Sequence, residues 1–106
     1  MTIISTTQEL HSKAQHLQEN EILLDVRTPE EFNQGHIRGA LNFDISSPRI
    51  MQDIMEFDST KLYIVYCKSG GRSEMASLLM EQRGLQVVNS KVGMLHWVKD
   101  RLPVEI

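Results

Sequence analysis

The sequence predicts an α/β protein: a mostly parallel central sheet of about five strands with helices on both faces. Three observations lead there. Short apolar runs bounded by turn residues alternate with stretches whose apolar residues recur every three or four positions, the order expected of strand and helix in succession. The run Ile22-Leu23-Leu24-Asp25-Val26 is nearly continuous rather than alternating, as in a strand covered on both sides, and Lys61-Leu62-Tyr63-Ile64-Val65-Tyr66 is a further strand-like run. No internal repeat, low-complexity tract or linker interrupts the alternation.

Each element has its own warrant. Thr2 to Ser5 reads as the first strand. Thr6, with Glu9 three residues on, forms a capping box in which each side chain satisfies a backbone N–H that the first helical turn leaves free. In the helix that follows, Leu10, Ala14 and Leu17 share one face, while His11, Lys13, Gln15, His16 and Gln18 face solvent. Ile22 to Val26 is the second strand. Thr28 then supplies an N-cap, Pro29 the first helical position and Glu31 a capping-box partner; Phe32 anchors the turn and Gly35 suits the left-handed residue that ends it. Ala40 to Phe43 is a short third strand. Ser47-Pro48 opens a helix with an apolar stripe of Ile50, Met51, Ile54 and Met55, the methionines serving as core filler.

Lys61 to Tyr66 is the central strand, and helical periodicity runs from Ser73 to Arg83 through Met75, Ala76, Leu78, Leu79 and Gln82, with Gly84 as its stop. Leu85 to Val88 is the fifth strand. Gly93 to Lys99 makes a last helix with Leu95 and Val98 inward, and Pro103 excludes further helix.

The totals bound the function. A chain of 106 residues reads as a single domain over 1–106, with a core that needs neither disulfide nor metal. One cysteine makes no internal disulfide, and no Cys/His spacing of the zinc-site kind is present, which fits a reducing compartment. The first twenty residues contain no apolar run, so neither a signal peptide nor a membrane span is expected and the location reads as cytoplasmic. A net charge of -3 with scattered lysines and arginines argues against a nucleic-acid-binding face.

The chemistry concentrates in Cys67-Lys68-Ser69-Gly70-Gly71-Arg72-Ser73. Here a thiol sits at the C-terminal end of a strand, in a glycine-bearing loop that opens a helix, where unpaired N–H groups and the helix dipole favour an anion. Gly70 and Gly71 permit backbone conformations in which successive N–H groups turn inward as an anion-binding nest. Arg72 offers a fixed fork of donors and Lys68 a flexible point charge, unless Arg72 pairs with a nearby carboxylate and Lys68 is merely solvated. The expected result is a reactive Cys67 whose pKa lies below that of a free thiol.

Other candidates have structural explanations. Asp25, Arg27 and Glu31 read as charged or capping groups that fix the turn after the second strand. His36 reads as a structural hydrogen-bonder, and Trp97 as a core residue whose indole N–H finds a partner.

Two motifs carry a resemblance. Leu24-Asp25-Val26-Arg27-Thr28-Pro29-Glu30-Glu31-Phe32, followed by Gly35-His36-Ile37-Arg38-Gly39-Ala40-Leu41-Asn42, resembles the first signature of rhodanese-type sulfurtransferases, and Cys67 to Ser73 resembles their active-site loop. Gly93 and Trp97 resemble the family's glycine and tryptophan near its last helix. Two positions depart from the pattern: Arg38 stands where many members carry proline, and Val92 where a second glycine is usual.

The resemblance implies a rhodanese-like domain and a ping-pong reaction through a Cys67 persulfide. Sulfane sulfur moves from thiosulfate or a polysulfide donor to cyanide or a thiol, with Lys68, Ser69, Gly70, Gly71, Arg72 and Ser73 holding the anionic substrate and no metal or organic cofactor required. With no second cysteine in the chain, the acceptor must come from outside, whether a small thiol or a protein thiol. The alternatives are a cysteine phosphatase or oxyanion reductase of the same fold, and a non-enzymatic sulfur carrier or docking module. Loop length favours sulfur: four residues separate Cys67 from Arg72, whereas the related phosphatases carry one more, and a tighter cradle suits a single sulfur better than a tetrahedral phosphate.

Overall fold

The computed structural model describes residues 2–106. Along the chain run β1 (Thr2–Ile4), α1 (Thr7–Gln15), β2 (Glu21–Asp25), α2 (Pro29–Gln34), β3 (Leu41–Asn42), α3 (Ile50–Met55), β4 (Leu62–Tyr66), α4 (Gly71–Gln82), β5 (Gln86–Ser90) and α5 (Met94–Lys99). The strands form one five-stranded sheet in the order β1-β5-β4-β2-β3, and every pairing is parallel. This is the α/β architecture read from the alternating pattern.

Side-chain alternation along β4 explains why its sequence is apolar throughout. Tyr63, Val65 and the following Cys67 point to one face, where they pack with Ile54 of α3 and with Ala76 and Met80 of α4. Ile64 and Tyr66 point to the other, against Leu10 of α1 and Met94 and Trp97 of α5. Leu10, Ile64 and Met80 are fully buried, each contributing about 1.5–3 kcal/mol by removal from water. The capping boxes form as expected: Glu9 N donates to Thr6 Oγ1 at 3.1 Å, and Glu31 N to Thr28 Oγ1 at 3.3 Å.

The topology positions the site. The chain leaves β2 for β3 on one side of the sheet and leaves β4 for β5 on the other. The carboxyl ends of the adjacent strands β2 and β4 therefore flank a switch point, the place where open α/β sheets accommodate ligands. The segment after β2 begins with Val26 and Arg27; that after β4 begins with Cys67.

Several boundaries and faces differ from the sequence expectation. Helix α4 starts at Gly71 rather than Ser73, with Gly70 as its N-cap in a left-handed conformation (φ 107°), so the nest uses one such glycine rather than two. Helix α3 begins at Ile50, after a turn at Ser47–Arg49, and Met55 is exposed because Ile54, one residue earlier, takes the inward position of this short helix. Gly35 has φ 150° and ψ 131°, a glycine-favouring extended conformation rather than a left-handed helical cap. His11 is half-buried rather than free in solvent, its ring 5.3 Å from that of Trp97 in an edge contact.

The correction with most consequence concerns α5. Leu95 and Val98 are 53% and 58% exposed, and Met94 and Trp97 occupy the inward face instead. The loop dictates this rotation. Met94 N donates to Cys67 O at 2.9 Å and Leu95 N to Lys68 O at 3.1 Å, so the first turn of α5 hangs from the cysteine loop. Gly93 makes that approach achievable, because a Cβ there would lie 2.0 Å from Cys67 O. Trp97 then reaches the core and donates its indole N–H to Pro103 O at 2.8 Å.

Candidate active site

Cys67 is 1% exposed, directly beyond the end of β4, with the amino end of α4 wrapped around its sulfur. Gly70 N approaches Sγ at 3.1 Å and Ser73 N at 3.4 Å. Burial pushes the thiol pKa up, but the donors of Ser73, Gly70 and Ser69 around the sulfur outweigh it, and the net shift is downward. The Ser73 hydroxyl has one proton and already lies 3.0 Å from Gly70 O and 3.2 Å from Ser90 O, so the backbone N–H groups carry most of the sulfur's stabilisation. Of the two sources the sequence argument combined, the backbone nest therefore accounts for the depressed pKa more than the cations Lys68 and Arg72 do.

The two cations of the loop behave differently. Arg72 forms a bidentate pair with Glu31, Nη1 to Oε1 at 2.6 Å and Nη2 to Oε2 at 3.0 Å. Lys68 is exposed and makes no ion pair among the described residues. Ser69 and Gly71 are exposed on the loop, and Ser73 is buried beneath it. The loop therefore gathers Cys67 to Ser73 around one sulfur, but commits the Arg72 fork to a protein carboxylate.

Beneath α2 lies a second, buried ion pair. Asp25 is fully buried and Arg27 6% exposed. Arg27 Nη2 donates to Asp25 Oδ2 at 2.6 Å and to Gly35 O at 2.7 Å, while Nε donates to Oδ1 at 2.9 Å. Asn42 Nδ2 ties the same turn together through Asp25 O and Arg27 O, at 3.0 and 2.9 Å. His36 stacks on Phe32 with ring centroids 3.8 Å apart, and its Nδ1 lies 3.0 Å from Phe32 O, in keeping with the structural role read for it.

Sequence reasoning found Glu31 as a cap and missed it as the partner of Arg72. The capping pattern is local, whereas the partner lies 41 residues away, across the switch point. The Arg72 hydrogen bonds, opposed by burial, hold the Glu31 carboxyl at about 2 instead of 4.5. The stabilisation from this pair is complete above pH ~4.5 and fades as pH falls through about 2. Glu31→Gln keeps a side-chain oxygen for the cap but loses the charge. It is expected to cost about 1 kcal/mol at neutral pH, the pair being partly solvated. In urea denaturation the gap between variant and wild type should shrink as pH drops from 5 toward 2. The variant should also titrate Cys67 at lower pH, because the Arg72 charge is then uncompensated.

The thiol itself gives a direct measurement. Its rate of alkylation by iodoacetamide, followed against pH, should show a midpoint below the ~8.5 of a free thiol. A midpoint at or above that value would mean that the N–H groups around Sγ do not hold a thiolate.

Comparison with known proteins adds an independent line. A family model described as "Rhodanese-like domain" matches residues 6–100. A protein named "Sulfurtransferase" from Allochromatium vinosum is 33% identical over 87 residues, spanning 81% of this chain and 79% of its own length. "Thiosulfate sulfurtransferase 16, chloroplastic" of Arabidopsis thaliana is 37% identical over 93 residues, covering 77% of this chain and 78% of that one. The crystal structure of a rhodanese-related protein from Thermoplasma volcanium superposes with a TM-score of 0.82 at 28% identity, over 99% of this chain and 98% of the other. Because the match runs through β2, the turn of the buried ion pair, the cysteine loop and α5, it concerns the same elements that build the site. The chain belongs to the rhodanese-like domain family.

Proposed function

We propose that the protein, as a single domain over 1–106, is a sulfurtransferase that moves sulfane sulfur from thiosulfate or a persulfide donor to cyanide or a thiol, through a persulfide on Cys67. The observation that carries this reading is the ring of N–H donors on Sγ, with Gly70 N at 3.1 Å and Ser73 N at 3.4 Å. Sulfurtransferase relatives covering most of the chain support it.

The Cys67 thiolate attacks the outer sulfur of the donor. A bond forms between Sγ and that sulfur, the donor's S–S bond breaks, and its electron pair leaves with sulfite when the donor is thiosulfate. In the persulfide the reacting atom is one S–S bond, about 2.05 Å, beyond the buried Sγ. The loop from Lys68 to Ser73 surrounds the anion, with backbone N–H groups fixed before the reaction begins. Lys68 is the free cation that attracts an anionic donor and offsets charge on the departing group. Because Cys67 must return to a free thiol after each turnover, a reducing compartment such as the cytoplasm suits the reaction.

The phosphatase reading fares less well. A phosphoryl group needs a guanidinium fork for its equatorial oxygens, and Arg72 is held in both prongs by Glu31. Incubation with thiosulfate followed by intact-mass measurement tests the proposal. The protein should gain the mass of one sulfur, and added cyanide should remove it as thiocyanate. Rapid hydrolysis of an aryl phosphate without any sulfur gain would overturn the reading.

A further inference from the structure

We propose that His96 is a positioning residue for the reaction at Cys67: by accepting the backbone N–H of Gly93 on its Nδ1, it locks the corner from which the first turn of α5 holds the cysteine loop and aims a loop N–H at the sulfur. The proposal rests on the sulfurtransferase reading above and adds to that site a residue that acts through the backbone rather than on the sulfur.

Helix α5 begins without a capping side chain, because its N-cap is Gly93. A serine or aspartate there would take a first-turn N–H for itself. The donors are left to the loop instead: Met94 N donates to Cys67 O at 2.9 Å and Leu95 N to Lys68 O at 3.1 Å. A Cβ on residue 93 would also collide with Cys67 O, so the corner has no side chain of its own with which to fix itself. It is fixed from the far side of the turn. Gly93 N donates to His96 Nδ1 at 3.0 Å, the reaching-back half of a capping box, with histidine at the third helical position where glutamate or glutamine is usual.

The effect on the sulfur follows from peptide planarity. Lys68 O and Ser69 N–H belong to one peptide unit, and no described peptide bond is cis, so the two groups point in opposite directions. Leu95 N holds Lys68 O toward α5, which turns the Ser69 N–H away from α5. Ser69 N–H is one of the backbone donors that lower the Cys67 pKa. A corner free to shift would let this peptide rotate. The sulfur would then lose an aligned donor, and its thiolate would be less stabilised.

The same hydrogen bond defines the ring. A backbone N–H can only donate, so Nδ1 presents a lone pair and the ring proton sits on Nε2. The imidazole is neutral in this arrangement. His96→Ala therefore removes an acceptor without removing a charge. His96→Asn returns one, because its amide oxygen is attached to Cγ, as Nδ1 is in histidine.

The test compares the parent, His96→Ala and His96→Asn by iodoacetamide alkylation of Cys67 against pH, with a thermal melt of each. In the alanine variant the midpoint should rise by about half a pH unit, an about threefold loss of thiolate at lower pH, and in the asparagine variant it should return to near the parent's. A cap that served stability alone would lower the melting temperature and leave the midpoint in place. An alanine variant with the parent's midpoint overturns the inference, and so does an asparagine variant shifted as far as the alanine one. Nitrogen NMR of the parent's imidazoles gives a reading that needs no variant: His96 should carry its proton on Nε2, and a proton on Nδ1 overturns the inference. Because alkylation reads the thiol alone, a parent that gains no sulfur from thiosulfate overturns the sulfurtransferase reading instead, whatever the midpoints show.

Discussion

Replacing Cys67 with Ser is expected to abolish both the sulfur gain from thiosulfate and thiocyanate formation, a loss of at least ~10³-fold in transfer. The substitution is nearly isosteric at a site that is 1% exposed, and a hydroxyl oxygen accepts the same N–H donors that now approach Sγ from Gly70 and Ser73. The fold should therefore persist, with an unfolding free energy within about 1 kcal/mol of the parent's. What disappears is the nucleophile. An alcohol stays protonated at neutral pH even in a nest of N–H groups, and its oxygen cannot carry a persulfide. Because the chain has no other cysteine, no neighbouring thiol can substitute. Intact mass after thiosulfate treatment and a colorimetric thiocyanate assay measure the two losses, and a thermal melt checks the fold. Retained turnover in the serine variant would place the chemistry on another residue and remove the basis for the persulfide mechanism.

Legibility in the sequence followed the range of the interaction. The strands, the two capping boxes and the cysteine loop were readable because each rests on residues within a few positions of one another: Thr6 with Glu9, Thr28 with Glu31, Cys67 with Gly70 and Ser73. The continuous apolar run of β2 indicates cover on both faces, and Leu24 packs on one face of the sheet while Leu23 packs on the other. The orientation of α5 was not readable. Its outward Leu95 and Val98 are as apolar as its inward Met94, and the choice between them is made by backbone hydrogen bonds to Cys67 and Lys68, 27 residues away in the chain. The pairing of Arg72 with Glu31 was hidden for the same reason. A strand order that brings the ends of β2 and β4 side by side creates the contact, and no local pattern in either segment encodes it.

Asp25→Ala should be the most destabilising single change at the site, by about 3–5 kcal/mol, against a total stability of about 5–15 kcal/mol for a domain of this kind. Asp25 is fully buried, and its carboxylate receives Arg27 Nε, Nη2 and the Arg27 backbone N–H. Burial by itself weakens Arg27's hold on its proton, and the Asp25 carboxylate more than restores it. Without that carboxylate a guanidinium remains in the interior with only Gly35 O as a strong acceptor, and the buried charge, rather than the lost contact, sets the cost. The double variant Asp25→Leu/Arg27→Met separates the two. If the penalty is the orphaned charge, removing both ions should recover most of the loss, since a buried pair exchanged for apolar side chains of similar volume is commonly neutral in stability. Urea unfolding of the parent, the single variant and the double variant decides the matter. A double variant no more stable than Asp25→Ala would mean that the pair acts through the geometry it imposes on the 25–42 turn, where Asn42 Nδ2 reads both backbone carbonyls, and not through the balance of its charges.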